Sequence, residues 1–163
     1  MRILCCLDGT NFGQISDAIS PLVANNSSTL SFIYVIDTRP QREMEQRTGP
    51  LLRRPSPDAP RMERMKQATE EAAQEILVEA HAHYPAAETL YRTGQPERVI
   101  VNYAAEWNAD LVVLSPRSPQ SGGPLIGPKS IGHIARFIVD HAPCPVLLVR
   151  TRTREGFPLP EKK

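Results

Sequence analysis

Short, uninterrupted runs of apolar residues are the feature that most constrains the fold of this chain. Residues 3–7, 111–114 and 146–149 are continuously apolar rather than alternating with polar residues. Such strands need cover on both faces, as in a parallel sheet between helices. Segments with helical spacing of apolar residues lie between the runs, so the chain predicts βαβ units with right-handed crossovers.

The predicted elements alternate from one end of the sequence to the other. Five strands are predicted at Arg2–Asp8, Leu30–Ile36, Glu88–Arg92, Asp110–Ser115 and Pro145–Arg150. Four helices are predicted between them, two on each face of the sheet. Thr10 or Asn11 is a possible N-terminal cap of the first helix. The core-facing stripe of the second helix is predicted to comprise Met62, Met65, Thr69, Ala72, Ile76 and Ala80.

The length of 163 residues predicts one domain, spanning residues 1–150. Residues 39–60 contain five prolines and are predicted to form a surface insertion, either a functional lid or a plain loop. Residues 151–163 are predicted to form a flexible C-terminal tail.

Composition argues against several classes of partner. The net charge of +1 gives no electrostatic reason to expect nucleic acid or an anionic membrane. No apolar run approaches the length that spans a bilayer, and no signal peptide pattern precedes the first strand. The three cysteines show no C-x-x-C pairing and are predicted to be buried thiols, which favours a cytoplasmic location.

Residue spacing gives little support for a metal site or for catalysis. His81 and His83 are two residues apart on a predicted helix and therefore lie on different faces. No Ser/His/Asp set has a spacing that indicates a nucleophile. We therefore predict a protein that is not an enzyme and holds no metal ion of its own.

Ligands of open parallel α/β sheets bind beyond the carboxyl ends of the strands, where the strand order reverses. The segments that follow the predicted strands are Asp8-Gly9-Thr10, Asp37-Thr38 and residues 115–133. These three segments are the candidate site.

Five motifs follow one another along the chain. They are Ile3-Leu4-x-x-x-Asp8-Gly9-Thr10, Tyr34-Val35-Ile36-Asp37, Gly94-x-Pro96, Ala109-Asp110-Leu111-Val112-Val113 and His141-Ala142-Pro143-Cys144-Pro145-Val146-Leu147-Leu148-Val149-Arg150. Taken in order, these motifs resemble those of the universal stress protein family. Together they cover roughly residues 2–150. Each motif alone is weak, but their ordered combination is specific.

The resemblance implies an adenine-nucleotide alpha-hydrolase-like fold with strand order 3-2-1-4-5 and a homodimer formed through the last strand. It further implies a regulatory role with a possible protein partner and, in one branch, binding of ATP or AMP, with Mg²⁺ as the one metal that would accompany ATP. Asp8 matches the position that contacts the nucleoside, and Val35 matches the position that lines the base pocket. The implied nucleotide site comprises Asp8, Val35, Leu114, Ser115, Arg117, Ser118, Lys129, Ser130, Gly132, His133 and Ile134.

The phosphate loop departs from the family pattern G-2x-G-9x-G-[ST]. Aligned from the fourth strand, Ser115 and Ser118 stand at the first two glycines, and thirteen residues separate Ser118 from Gly132. Counted back from Gly132, Gly122 stands at the second glycine but Pro119 stands at the first, and His133 replaces the final Ser or Thr in both alignments. Arg117, Lys129 and Ser130 offer donors for phosphate. The segment is therefore either a divergent phosphate loop or a polar connection, and Asp8 is either a nucleoside ligand or a turn residue.

Three functions remain open at this point. The first is a module that binds an adenine nucleotide, and the second is a nucleotide-free dimeric interaction module of the same fold. The third is an enzyme such as a slow nucleotide hydrolase. The intact nucleoside-side residues favour the first, and the missing glycines favour the second.

Overall fold

The computed structural model describes residues 1–24, 27–39, 59–116 and 130–150. Strands and helices alternate along these residues. The strands are β1 (Arg2–Leu7), β2 (Thr29–Asp37), β3 (Glu88–Gly94), β4 (Leu111–Leu114) and β5 (Val146–Leu148). The helices are α1 (Phe12–Val23), α2 (Ala59–His83), α3 (Pro96–Glu106) and α4 (His133–His141).

The five strands form one parallel sheet in the order β3-β2-β1-β4-β5. Ile3 on the central strand is opposite Leu30 of β2 on one side and Leu111 of β4 on the other. The predicted strand order is therefore confirmed. The last strand is shorter than predicted, with three residues rather than six, and Asp8 lies just beyond β1.

Two hydrophobic clusters lie on opposite faces of the sheet, and adjacent residues of β1 belong to different clusters. Cys5 belongs to the cluster under α1 and α2, whereas Cys6 belongs to the cluster under α3 and α4. Successive side chains of a strand point to opposite faces, so the uninterrupted run in β1 supplies both clusters. The expectation of two helices on each face is confirmed.

The predicted core stripe of α2 is wrong over its first half. Met65 is 54% exposed, and Thr69 and Ala72 are also exposed, whereas Ala73 and Leu77 are buried beside Ala80. The 25 residues of α2 span about 37 Å, but the seven residues of β3 span only about 23 Å. Only the C-terminal part of the helix therefore lies over the sheet and sets the buried face.

Some predicted features lie outside the described residues. These include residues 40–58 of the predicted insertion, the tail at 151–163 and the side chain of Met62. The last two residues of the predicted insertion, Ala59 and Pro60, belong to α2. Among the described helices, none is long and apolar enough to cross a membrane.

Candidate functional site

A cavity of about 600 Å³ lies at the carboxyl ends of β1, β2 and β4. The strand order reverses at this point of the sheet. The chain adds β2 and β3 on one side of β1 and then β4 and β5 on the other side. The start of α4 forms the facing wall. The cavity is therefore at the position where ligands of open α/β sheets bind.

Seven of the predicted site residues line this cavity. They are Asp8, Val35, Leu114, Ser115, Gly132, His133 and Ile134. Ser130 is buried nearby, where its hydroxyl accepts a hydrogen bond from Arg150 Nη1 at 3.2 Å. Arg117, Ser118 and Lys129 lie outside the described residues.

One side of the cavity is apolar. Val35 from the end of β2, Ile100 from α3 and Ile138 from α4 contribute to it, together with Leu114 at the end of β4. Ile138 is fully buried and Ile100 is 6% exposed, so these walls belong to the core. An apolar wall beside polar strand ends suits a ligand with a flat apolar ring and a polar remainder.

Asp8 forms a turn with one of its two carboxylate oxygens. Its Oδ1 accepts hydrogen bonds from the backbone N–H of Thr10 at 2.8 Å and from Thr10 Oγ1 at 2.9 Å. Gly9 within this turn has a φ of 90°, which favours glycine. Asp8 therefore stabilises this turn through Oδ1. Its Oδ2 has no hydrogen-bond partner among the described residues, and the side chain is exposed at the cavity.

Asn11 is a cavity residue that sequence reasoning took only for a possible helix cap. It precedes α1, but its side chain makes no capping hydrogen bond and instead turns back toward the sheet. Its Nδ2 donates to Cys6 O at 3.1 Å and to Ser115 Oγ at 2.7 Å, while its Oδ1 accepts from Asp8 N–H at 3.0 Å. Asn11 thus ties the end of β1 to the end of β4.

The N-terminus of α4 lies at the cavity without a side-chain cap. Gly132 precedes the helix with a φ of 81°, and no side-chain hydrogen bond caps it. The first N–H groups of a helix have no partner within the helix and carry partial positive charge. The glycine that survives from the family pattern therefore stands where the backbone needs a left-handed conformation.

Arg39 joins β2 to α3 and α4 at the cavity. Its guanidinium binds Asp37 through Nε at 2.9 Å and Nη2 at 2.6 Å, and its Nη1 lies 3.3 Å from Glu97 Oε1. The same Nη1 is 2.8 Å from His133 Nε2. Because arginine only donates, His133 Nε2 is the acceptor in this arrangement and the ring proton is on Nδ1.

Two opposing effects set the pKa of Asp37. Partial burial alone would raise it, but the hydrogen bonds and the positive charge of Arg39 outweigh burial and lower the pKa from its ordinary 3.8. Arg39 is the first residue of the predicted insertion, so the sequence analysis did not predict its contact with Asp37.

Substitution of Arg39 by methionine is expected to lower the free energy of unfolding by about 1 kcal/mol at pH 7, a typical value for a partly exposed ion pair. A carboxyl group whose folded pKa is depressed stabilises the fold above its unfolded pKa and loses that effect as the pH falls through the folded value. The difference between wild type and Arg39→Met should therefore shrink below about pH 4. Urea denaturation of both proteins at pH 7 and at pH 3.5 measures this difference in the free energy of unfolding.

Arg136→Met is the matched control, because Arg136 is exposed on α4 and outside this cluster. It should change stability little at either pH. A deficit of Arg39→Met that is equal at both pH values would show that Asp37 ionisation is not its source.

The cysteine that lines the cavity is held as a neutral thiol. Burial raises the pKa of Cys6 well above its ordinary value of 9.0, with smaller contributions from Cys5 and Cys144. On the opposite face, burial raises the pKa of Cys5 to about 12. Nucleophilic and metal-binding cysteines act as thiolates, so Cys6 serves here as an apolar wall residue.

Within the described ranges, no group of three or more His, Cys, Asp or Glu residues is arranged to hold a metal ion.

The fold and the cavity agree with a known family. The sequence model of the universal stress protein family matches residues 1–150. The chain belongs to the universal stress protein family. A curated relative, the universal stress protein in the QAH/OAS sulfhydrylase 3' region of Thermus aquaticus, is 35% identical over 82 residues. The match covers 49% of this chain and 57% of that protein, so it spans little more than half of the relative's length.

Solved structures of universal stress proteins share the fold over nearly the whole chain. One in complex with cAMP has a TM-score of 0.61 at 17% identity, covering 93% of this chain and 98% of that one. A family protein from Arabidopsis thaliana with AMP bound has a TM-score of 0.59 at 16% identity, covering 96% of this chain and 95% of that one. At these identities the comparison shows the fold alone.

Proposed function

We propose that this universal stress protein is a cytoplasmic regulatory module that binds an adenine nucleotide in the cavity at the carboxyl ends of β1, β2 and β4. The observation that carries the proposal is the pairing of an apolar wall with polar strand ends. Val35, Ile138 and Leu114 would face the base, while Asp8 and the start of α4 would face the ribose and phosphate. Two proteins of the same fold have AMP or cAMP bound.

The phosphate count of the ligand depends on which residues near the start of α4 contact phosphate. The uncapped start of α4 favours an anion, and the Arg39 guanidinium lies beside it. Contacts of ATP phosphates with Arg117, Ser118 and Lys129 stay a prediction from sequence. A single phosphate near α4 needs none of these three, so an AMP-like ligand is the form that the described residues support best.

The experiment is calorimetric titration of the protein with AMP, ATP and cAMP. Asp8→Ala is expected to weaken AMP and ATP alike, by about tenfold, because a hydrogen bond between a charged carboxylate and a ribose hydroxyl contributes roughly 1.5 kcal/mol. Asp8→Asn separates the two roles of this side chain. It retains the oxygen that accepts from Thr10 but replaces the second carboxylate oxygen by an amide, so it should keep the turn and still lose affinity.

Asp17→Ala is the matched control, because Asp17 is an exposed aspartate on α1 away from the cavity. It should bind as the wild type does. An Asp8→Asn variant with wild-type affinity would reduce Asp8 to a turn residue. Absence of heat with every nucleotide at millimolar concentration would refute nucleotide binding.

We also propose that the chain forms a homodimer through β5. This strand is at the edge of the sheet, and its three residues are only partly buried. An apolar edge strand with one unpaired side invites a second strand, and a two-fold axis would pair it with its own copy. This surface also supports the second candidate function, a nucleotide-free interaction module whose activity is association.

A further inference from the structure

Asn11 is a polar side chain enclosed in the protein at the wall of the cavity. It is 4% exposed, and its amide group makes three hydrogen bonds. Two involve the backbone at the end of β1, and the third joins a hydroxyl 104 residues away at the end of β4. A buried amide with this many partners has a defined orientation.

The backbone decides which end of the amide is which. The carbonyl of Cys6 can only accept a hydrogen bond, so the group beside it must be the NH₂ of Asn11. The N–H of Asp8 can only donate, so the group beside it must be the amide oxygen. A flipped amide would set donor against donor and acceptor against acceptor, and is therefore excluded.

This orientation fixes the polarity of Ser115. The second hydrogen of Asn11 Nδ2 is directed at Ser115 Oγ, 2.7 Å away. An amide nitrogen accepts no hydrogen bond, so the hydroxyl oxygen is the acceptor and its own proton must go elsewhere. Within the part of the chain that the structure describes, no protein acceptor takes that proton, and Ser115 lines the cavity.

We propose that Asn11 is a positioning residue that makes Ser115 a directed hydrogen-bond donor to an acceptor oxygen of the bound nucleotide. This inference rests on the proposed nucleotide binding. A serine hydroxyl normally rotates to serve either as donor or as acceptor. Asn11 removes that choice, so the site selects ligands with an acceptor at this point.

The test is a double-mutant cycle on AMP affinity, measured by calorimetry. Ser115→Ala removes the donor and is expected to weaken AMP binding about tenfold. Asn11→Asp has the same shape but presents oxygen to Ser115, whose proton would turn toward it and away from the ligand. It should also weaken binding about tenfold, and the double variant should be about tenfold rather than a hundredfold weaker.

Two further variants keep the cycle interpretable. Ser115→Thr retains the hydroxyl and should retain most of the affinity. Asn11→Ala, made in both backgrounds, introduces no charge and replaces Asn11→Asp in the cycle if circular dichroism shows that the aspartate variant is unfolded. Repulsion between an introduced carboxylate and AMP would persist in the Ser115→Ala background, so it is distinguishable from loss of the donor.

Titration with adenosine identifies the acceptor. Loss of affinity for AMP alone indicates a phosphate oxygen, and loss for both ligands places the acceptor on the nucleoside, whose oxygens all belong to the ribose; either result supports the proposal. Effects of Asn11 and Ser115 that multiply, or a Ser115→Ala variant that binds like the wild type, would overturn it while leaving nucleotide binding intact. A wild-type protein that binds no nucleotide would overturn both.

Discussion

Phe32→Ala is expected to lower the free energy of unfolding by about 3–5 kcal/mol, the usual range for deletion of a fully buried aromatic ring. Phe32 is 0% exposed at the middle of β2, and its ring centroid lies 6.1 Å from that of Phe12 and 5.5 Å from that of Tyr84. These neighbours hold α1 and the end of α2 against the sheet, so the cavity that the substitution leaves cannot close easily. Urea denaturation followed by circular dichroism measures the loss.

Phe137→Ala is the control for Phe32→Ala, because the same atoms are removed from a partly buried ring on α4 that stacks on His141. Its loss should be clearly smaller. Phe32 belongs to the cluster on the face of the sheet away from α4, so folded Phe32→Ala protein should keep its nucleotide affinity. Equal losses for the two phenylalanine variants would contradict the assignment of Phe32 to the main support of that face.

Leu148→Pro is expected to convert a dimer to a monomer without unfolding the chain. Pro145 O and Val149 N–H bond to β4, at 3.0 and 2.8 Å. Backbone groups alternate sides along a strand, so the N–H of Leu148 faces the open edge of the sheet. Proline there removes a donor to the partner strand, whereas the ladder to β4 stays complete.

Light scattering at micromolar concentration checks this result. The wild type should have twice the chain mass, and Leu148→Pro should have the chain mass with an unchanged circular dichroism spectrum. Leu147→Pro gives the contrast, because its N–H faces β4 and its loss should destabilise the fold itself. A wild-type protein at the chain mass, or a dimeric Leu148→Pro variant, would contradict dimerisation through β5.

The sheet was predictable because its signals are local. Uninterrupted apolar runs identify strands covered on both faces, and the helical stripe of α3, with Ile100, Tyr103 and Ala104, is buried as its spacing indicates. The buried face of α2 was not predictable in the same way. Its first half carries apolar residues at helical spacing, but the sheet beneath is too short to cover them.

The sequence predicted the position of the candidate site but not the contacts that Asn11 and Arg39 make there. Strand ends and Gly132 follow from the rule for open α/β sheets together with the family resemblance. Asn11 was taken for a possible cap because capping is a local pattern, whereas its partner Ser115 is 104 residues away. Arg39 was assigned to the proline-rich segment, and nothing in the sequence pairs it with Glu97 or His133.

The central place of β1 has a consequence for synthesis of the protein. A ribosome makes β1 long before β4, since Arg2 and its partner Asp110 are 108 residues apart. One edge of this central strand therefore stays without its neighbour while most of the chain emerges, and exposed strand edges are prone to wrong pairing during that time. A fragment that ends before β4 lacks the strand that pairs with one edge of β1. The N-terminal and C-terminal parts of the domain therefore depend on each other for folding.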